Sequence, residues 1–150
     1  MATYLTTDDV LAIHYALVDI FREAGDPIDP PGPRLGGLLE SAIGRPQTAH
    51  GNIEKYQTVE AKAAALLHSL IGNHPFHNGN KRTALVAALV FLDRHRRRFS
   101  ASDDELFQFV LDIANRQGRL SGNADNAVEQ IAAWLRAHVE PRKYVKLLGL

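Results

Sequence analysis

The chain has 150 residues, with seventeen Lys and Arg balanced by seventeen Asp and Glu, and no cysteine. That length supports a single domain with a real core, one that buries roughly 68–70% of its unfolded surface. Balanced charge disfavours a broadly basic nucleic-acid binder, and the lack of cysteine excludes disulfides, thiolate metal centres and a cysteine nucleophile.

No apolar run approaches the ~20 residues that span a bilayer. The opening residues MATYLTTDDV carry acids where a secretory signal carries positive charge. The expectation is a soluble, cytoplasmic protein with no membrane partner and no direct nucleic-acid partner. Charge is uneven along the chain. Residues 1–40 hold seven acids and two bases, whereas residues 81–98 hold six bases and one acid. A local positive field of this kind can attract an anion without making the whole protein basic.

Helical periodicity and punctuation run through the chain. Thr7 is placed to cap a first helix that opens with Asp8 and Asp9 and repeats Val10, Ile13, His14, Leu17, Ile20 and Phe21 at helical spacing up to Gly25. Four prolines between residues 26 and 33 require a loop. A short helix is expected from Leu35 to Ile43, then irregular chain over residues 47–57. Thr58 caps a helix rich in alanine that runs to about Ile71. Another helix restarts at Asn80 or Lys81; being apolar nearly all round, it is expected to be the central buried one. Ser102 and Glu105 form a capping box for a helix to about Gln117, and Asn123 caps a last helix ended by Pro141. Trp134 falls at core spacing. Strand signals are poor, confined to Thr3–Leu5 and residues 52–57. The expected class is all-α, a compact single domain over residues 1–141 with a short tail, 142–150.

The segment that carries chemistry is His74-Pro75-Phe76-His77-Asn78-Gly79-Asn80-Lys81-Arg82. It stands at the N-terminus of the expected central helix, where backbone N–H groups are unpaired and the helix dipole is positive. Gly79 lets the backbone approach a ligand, and Lys81 and Arg82 add two charges, which together describe a phosphate site. His74 is the candidate base beside it. Phe76 is the expected apolar anchor of the loop.

The string resembles the Fic/Doc superfamily motif HxFx[DE]GN. The adenylylating Fic branch continues GRxxR, whereas the death-on-curing (Doc) branch continues KR. Lys81 stands where Fic proteins have Gly, and Leu85 where they have the second Arg, so the chain resembles the Doc branch. Residues 38–47, LLESAIGRPQ, and residues 63–70, AAALLHSL, resemble flanking stretches of the family, and the likeness extends over roughly residues 4–139. The resemblance implies a Fic/Doc-like helical bundle and a toxin of a type II toxin–antitoxin pair. Its activity would be transfer of the ATP γ-phosphate to a threonine of a translation factor, elongation factor Tu, arresting translation. The lysine crowds the place where Fic proteins hold the α-phosphate, so the nucleotide is expected in the reversed direction. His74 would take the threonine proton; Gly79, Asn80, Lys81 and Arg82 would hold phosphates. The expected partner is a cognate antitoxin whose C-terminal segment folds on binding, with the acidic residues 1–40 as a docking surface.

One position departs from the pattern. The family's acid, expected to hold Mg2+, is Asn78 here. Three readings stay open: Mg2+ held mainly by ATP with Asn78 as a weak neutral ligand; replacement by another acid, Glu54 or Glu60; or a chain that is slow or inactive as a kinase. The alternative functions are thus a Fic-like AMP transferase and a catalytically weakened Doc-like binding protein. His50, His68, His74 and His77 form no i,i+4 pair for a metal nuclease. His68 is expected between helices, His50 in a loop and His77 at the edge of the site. The run Arg94-His95-Arg96-Arg97-Arg98 is expected to end a helix, where the dipole favours cations.

Overall fold

A computed structural model describes residues 2–115 and 123–142. The elements in order are α1 (Thr7–Glu23), α2 (Leu38–Gly44), a 3-10 turn (Arg45–Gln47), β1 (Ala49–His50), β2 (Ile53–Glu54), α3 (Val59–Asn73), α4 (Asn80–Arg94), β3 (Arg97–Phe99), α5 (Asp103–Asn115), α6 (Ala124–His138) and β4 (Val139–Pro141). The class is all-α, as expected. Among the described residues no helix is long and apolar enough to cross a membrane.

The cap of α1 is Thr6, one residue before the position expected. Thr6 Oγ1 accepts from the Asp9 amide at 3.1 Å, and the Thr6 amide donates to Asp9 Oδ2 at 2.8 Å. This reciprocal box needs an acid three residues after the cap, which Asp9 supplies for Thr6. Arg94 also donates to Asp9 Oδ2 at 3.1 Å, and these bonds hold the carboxyl down to about 2. The helix ends at Glu23, and Gly25 takes φ +79°, the stop the sequence placed there. α2 starts three residues later than expected because Gly37 sits at φ +90° and gives its amide to Glu40 Oε2 at 3.0 Å.

The central helix is α3 rather than α4. Nine of its fifteen residues are buried, against six of fifteen in α4. Ala63, Ala64 and Ala65 are all fully buried, so α2, α4, α5 and α6 can approach on several sides. α4 instead leaves Leu85, Val86, Leu89 and Val90 only partly covered. Phe91 and Leu92 of α4, Phe109, Val110 and Ile113 of α5, and Ile131 and Leu135 of α6 complete the core around α3. Lys62, also buried, is satisfied by Glu54 Oε2 at 3.1 Å and by the Tyr56 carbonyl. Among the described residues no buried side-chain polar atom lacks a partner.

Two small antiparallel pairs complete the fold. β1 and β2 form a hairpin with Ala49 opposite Glu54 and His50 opposite Ile53. β3 and β4 pair Arg97 with Pro141, Arg98 with Glu140 and Phe99 with Val139. The second pair corrects two expectations. The helix α6 ends at His138 before Pro141 is reached, and the basic run leaves its helix at Arg94 and turns into a strand. Thr3–Leu5 forms no strand; the Thr3 amide donates to His95 Nε2 at 3.0 Å instead. Trp134 is half-buried at the edge of the core, stacked at 3.8 Å on Phe109 and at 4.0 Å on His138. Ser102 and Glu105 cap α5 and Asn123 caps α6, as read from the sequence. The expected end of α5 at Gln117 and the tail 143–150 lie outside the described residues.

Candidate active site

The loop of residues 74–79 joins the C-terminus of α3 to the N-terminus of α4. His74 caps α3 in the left-handed region, φ +48° and ψ +58°. Pro75 disfavours a right-handed helical residue before it, and histidine tolerates the left-handed region better than most side chains. Arg34 fixes this strained cap. Its Nε donates to the His74 carbonyl at 2.6 Å and its Nη2 to the Asn73 carbonyl at 3.2 Å. These are charge-assisted bonds to the carbonyls a helix leaves unpaired at its end. The Arg34 amide also donates to the Pro75 carbonyl at 2.8 Å, and the His77 amide to the Gly32 carbonyl at 3.1 Å. The proline-rich loop is therefore laid antiparallel along the motif. Phe76, 1% exposed, anchors it as expected.

Asn80 is the internal brace of the loop. Its Oδ1 accepts from the Phe76 amide and its Nδ2 donates to the Phe76 carbonyl, both at 2.9 Å. The same Nδ2 lies 3.5 Å from His74 Nδ1. Asn78 is equally engaged: its Oδ1 accepts from the Gly79 amide at 2.7 Å and its Nδ2 donates to the Asp29 carbonyl at 3.2 Å. Of the groups expected to meet phosphate, the Asn80 side-chain carboxamide and the Gly79 backbone N–H thus already have partners within the chain.

Gly79 is required for two reasons. Its φ is +75°, and a Cβ there would stand 2.9 Å from the Ile28 side chain. Gly79→Ala is therefore expected to destabilise the fold by about 2–4 kcal/mol, from left-handed strain plus overpacking. A urea unfolding midpoint unchanged from wild type would refute this placement of Ile28 against the motif.

Above the loop lies a cleft of about 700 Å³, lined by His74, His77 and residues 78–82, with Phe21 and Asp26 on one side and Phe107 and Leu111 on the other. Lys81 is exposed there and has no partner among the described residues. Arg82 stacks on the Phe21 ring at 4.2 Å and reaches the Asp26 carbonyl and carboxylate, each at 3.4 Å. Phe107, 64% exposed, gives the cleft an apolar rim. The amides of Asn80, Lys81 and Arg82 open α4 and have no acceptor within that helix. The arrangement can hold an anion with backbone N–H groups and Lys81 while presenting the His74 imidazole nearby.

The remaining sequence candidates lie elsewhere. Glu60 is at the start of α3 and His74 at its end, about 20 Å apart at 1.5 Å per residue. Glu60 faces Arg97 at 3.6 Å, and Glu54 is bound to Lys62; neither lines the cleft, so neither replaces the motif's acid. His68 Nδ1 lies 2.8 Å from Arg45 Nη1 between helices, and His50 is exposed in β1. Among the described residues no group of three His, Asp or Glu could hold a metal. In the basic run, Arg94 pairs with Asp9, Arg97 with Glu60 and Arg98 with Glu140. Asp26, Arg34 and the Phe107–Leu111 rim escaped the sequence reading. Arg34 had one signal: with Arg22 it is one of two bases among the first forty residues.

Two comparisons with known proteins identify the family. The model of the Fic/DOC family matches residues 4–92, from the chain entering α1 to the end of the core-facing part of α4. Toxin Doc of Mycolicibacterium smegmatis is 35% identical over 101 residues, which cover 67% of this chain and 76% of that protein. With the motif loop braced at the start of α4 and Lys81 following Asn80, the chain belongs to the Fic/DOC family, and its resemblance is to the Doc toxin branch.

Proposed function

We propose that the chain is a toxin that transfers the γ-phosphate of ATP to a threonine of a translation factor, elongation factor Tu. The observation that carries this is Lys81, a cation without a partner among the described residues, on the first turn of α4 and lining the same cleft as His74. His74 takes the proton from the threonine hydroxyl as its oxygen attacks the γ-phosphorus. The new O–P bond forms while the bond from phosphorus to the β-phosphate oxygen breaks, and ADP leaves. Charge developing on the β-phosphate is met by Lys81 and the amides at the start of α4. Such transfer depends chiefly on positioning and charge neutralisation. Arg82 joins by exchanging Asp26, an exposed partner at 3.4 Å, for phosphate oxygens.

For Mg2+, the motif supplies only a neutral oxygen on Asn78, already accepting from Gly79. An ion would enter mainly on the nucleotide's own oxygens. Asn78→Asp adds a charge there but removes the donor to the Asp29 carbonyl. The expected outcome is a lower Mg2+ concentration at half-maximal activity, with a stability loss of about 1 kcal/mol. A magnesium titration and urea unfolding of the same protein check it; identical magnesium curves would show that the acid is dispensable.

The proposed partner is an antitoxin whose C-terminal segment folds on binding. The acidic face of residues 1–40 is a weaker docking surface than its composition implies. Asp9, Asp19 and Asp26 pair with Arg94, Arg22 and Arg82, and Glu40 caps α2. A second reading, a binding protein with weakened catalysis, is favoured by the engaged Asn78 and by the Asp26–Arg82 pair. Peptide mapping of elongation factor Tu after incubation with the chain and ATP tests the first reading. Phosphothreonine is expected, and unmodified factor with a fully active antitoxin complex would favour the second.

A further inference from the structure

His14 takes no part in the chemistry just described and does not line the cleft, yet it is fully buried beneath it. The Gly32 amide donates to its Nε2 at 2.9 Å. A ring nitrogen that accepts carries no proton, so the other nitrogen does, and Nδ1–H donates to Thr83 Oγ1 at 3.1 Å. The ring also stacks on Phe76 at 3.9 Å with an interplanar angle of 10°. One side chain of α1 thus touches the proline-rich loop, α4 and the motif loop.

We propose that His14 is a positioning residue of the site, a neutral imidazole protonated at Nδ1 that pins the proline-rich loop to α4 and so holds the clamp on His74. Several hydrogen bonds run from that pinned loop to the motif and the end of α3. The Gly32 carbonyl receives the His77 amide, the Asp29 carbonyl receives Asn78 Nδ2, and Arg34 holds the carbonyls of Asn73 and His74. The task requires an acceptor and a donor at two corners of a flat ring that stacks on Phe76, and neutral imidazole alone among side chains meets all three conditions. Its surroundings keep it neutral: Thr83, Phe76, the Gly32 amide and the edge-on Tyr15 ring carry no charge, and desolvation pushes it down to about 4.

The proposal rests on the transferase reading for its kinetic consequence but not for its structural one. In wild type, nitrogen chemical shifts of His14 should show the Nδ1–H tautomer. His14→Phe keeps the stack and loses both hydrogen bonds. It should exchange the Gly32 amide proton at least ~10-fold faster and lower kcat by about 10–100-fold, with KM for ATP within about twofold, because the cleft cations are untouched. His14→Gln restores an acceptor and a donor without the stacked ring and should recover part of the kcat lost in His14→Phe. An Nε2–H tautomer in wild type, or a folded His14→Phe protein with wild-type Gly32 exchange and kcat, would overturn the proposal. Should His14→Phe fail to fold, the wild-type tautomer decides: the Nδ1–H form supports the proposal and the Nε2–H form overturns it. A wild type that phosphorylates no acceptor would defeat the transferase reading, while tautomer and Gly32 exchange would still decide the role of His14.

Discussion

His74→Ala is expected to cut phosphoryl transfer by about 10²–10⁴ and to abolish growth arrest, the range lost when a positioned proton acceptor is removed. The fold should survive. The His74 side chain is exposed and its one polar contact among the described residues is the 3.5 Å approach to Asn80, so truncation opens no cavity and strands no buried partner there. Arg34 grips the backbone carbonyl, which alanine retains. Histidine at φ +48° already carries the left-handed strain, so alanine adds only the difference between the two side chains there, a fraction of the ~1–2 kcal/mol that the conformation costs. Circular dichroism and urea unfolding measure that cost, and growth of cells expressing the variant measures toxicity. A folded His74→Ala protein that still arrests growth would remove His74 from the mechanism.

Lys81→Gly carries the second large effect. Lys81 is exposed in the cleft and makes no ion pair or hydrogen bond among the described residues, so on the proposed reading its charge meets the nucleotide. Removing a preorganised charge that meets developing phosphate charge costs about 10²–10³ in rate. Glycine on the first turn of α4 also weakens the helix by about 1 kcal/mol, and Lys81→Ala serves as the control without that penalty. Both variants should lose γ-phosphoryl transfer. Lys81→Gly, by restoring the residue that the adenylylating branch carries, should also show some transfer of AMP. Kinase activity unchanged in both would contradict the reversed-nucleotide arrangement.

The contrast between what the chain reveals by itself and what only the fold reveals is physical. Thr58 and Asn123 are legible as helix starts because a cap acts within four residues of sequence, and both cap their helices in the fold. The same holds for the motif loop, whose character comes from a helix N-terminus and adjacent charges. β3 and β4 were invisible, since their pairing joins residues about forty positions apart and neither segment alternates strongly. Being apolar nearly all round does not make α4 the central helix. Burial instead follows how closely neighbours can approach, and the alanines of α3 allow the closest approach. His14 read as one more residue on an apolar face; its function depends on Gly32, Phe76 and Thr83 meeting around it. Sequence shows only the ligands that Asn78 and Asn80 can offer, whereas the fold commits much of their hydrogen-bonding capacity to Asp29, Gly79 and Phe76.

Which phosphorus of the nucleotide is transferred separates a kinase from an AMP transferase. Purified chain incubated with elongation factor Tu and ATP, labelled in parallel at the γ- or the α-phosphorus, answers this directly. Label is predicted to move from the γ-position alone, onto a threonine, and to vanish with His74→Ala. Label arriving from the α-position, or from neither while the chain still binds its antitoxin, would contradict the account.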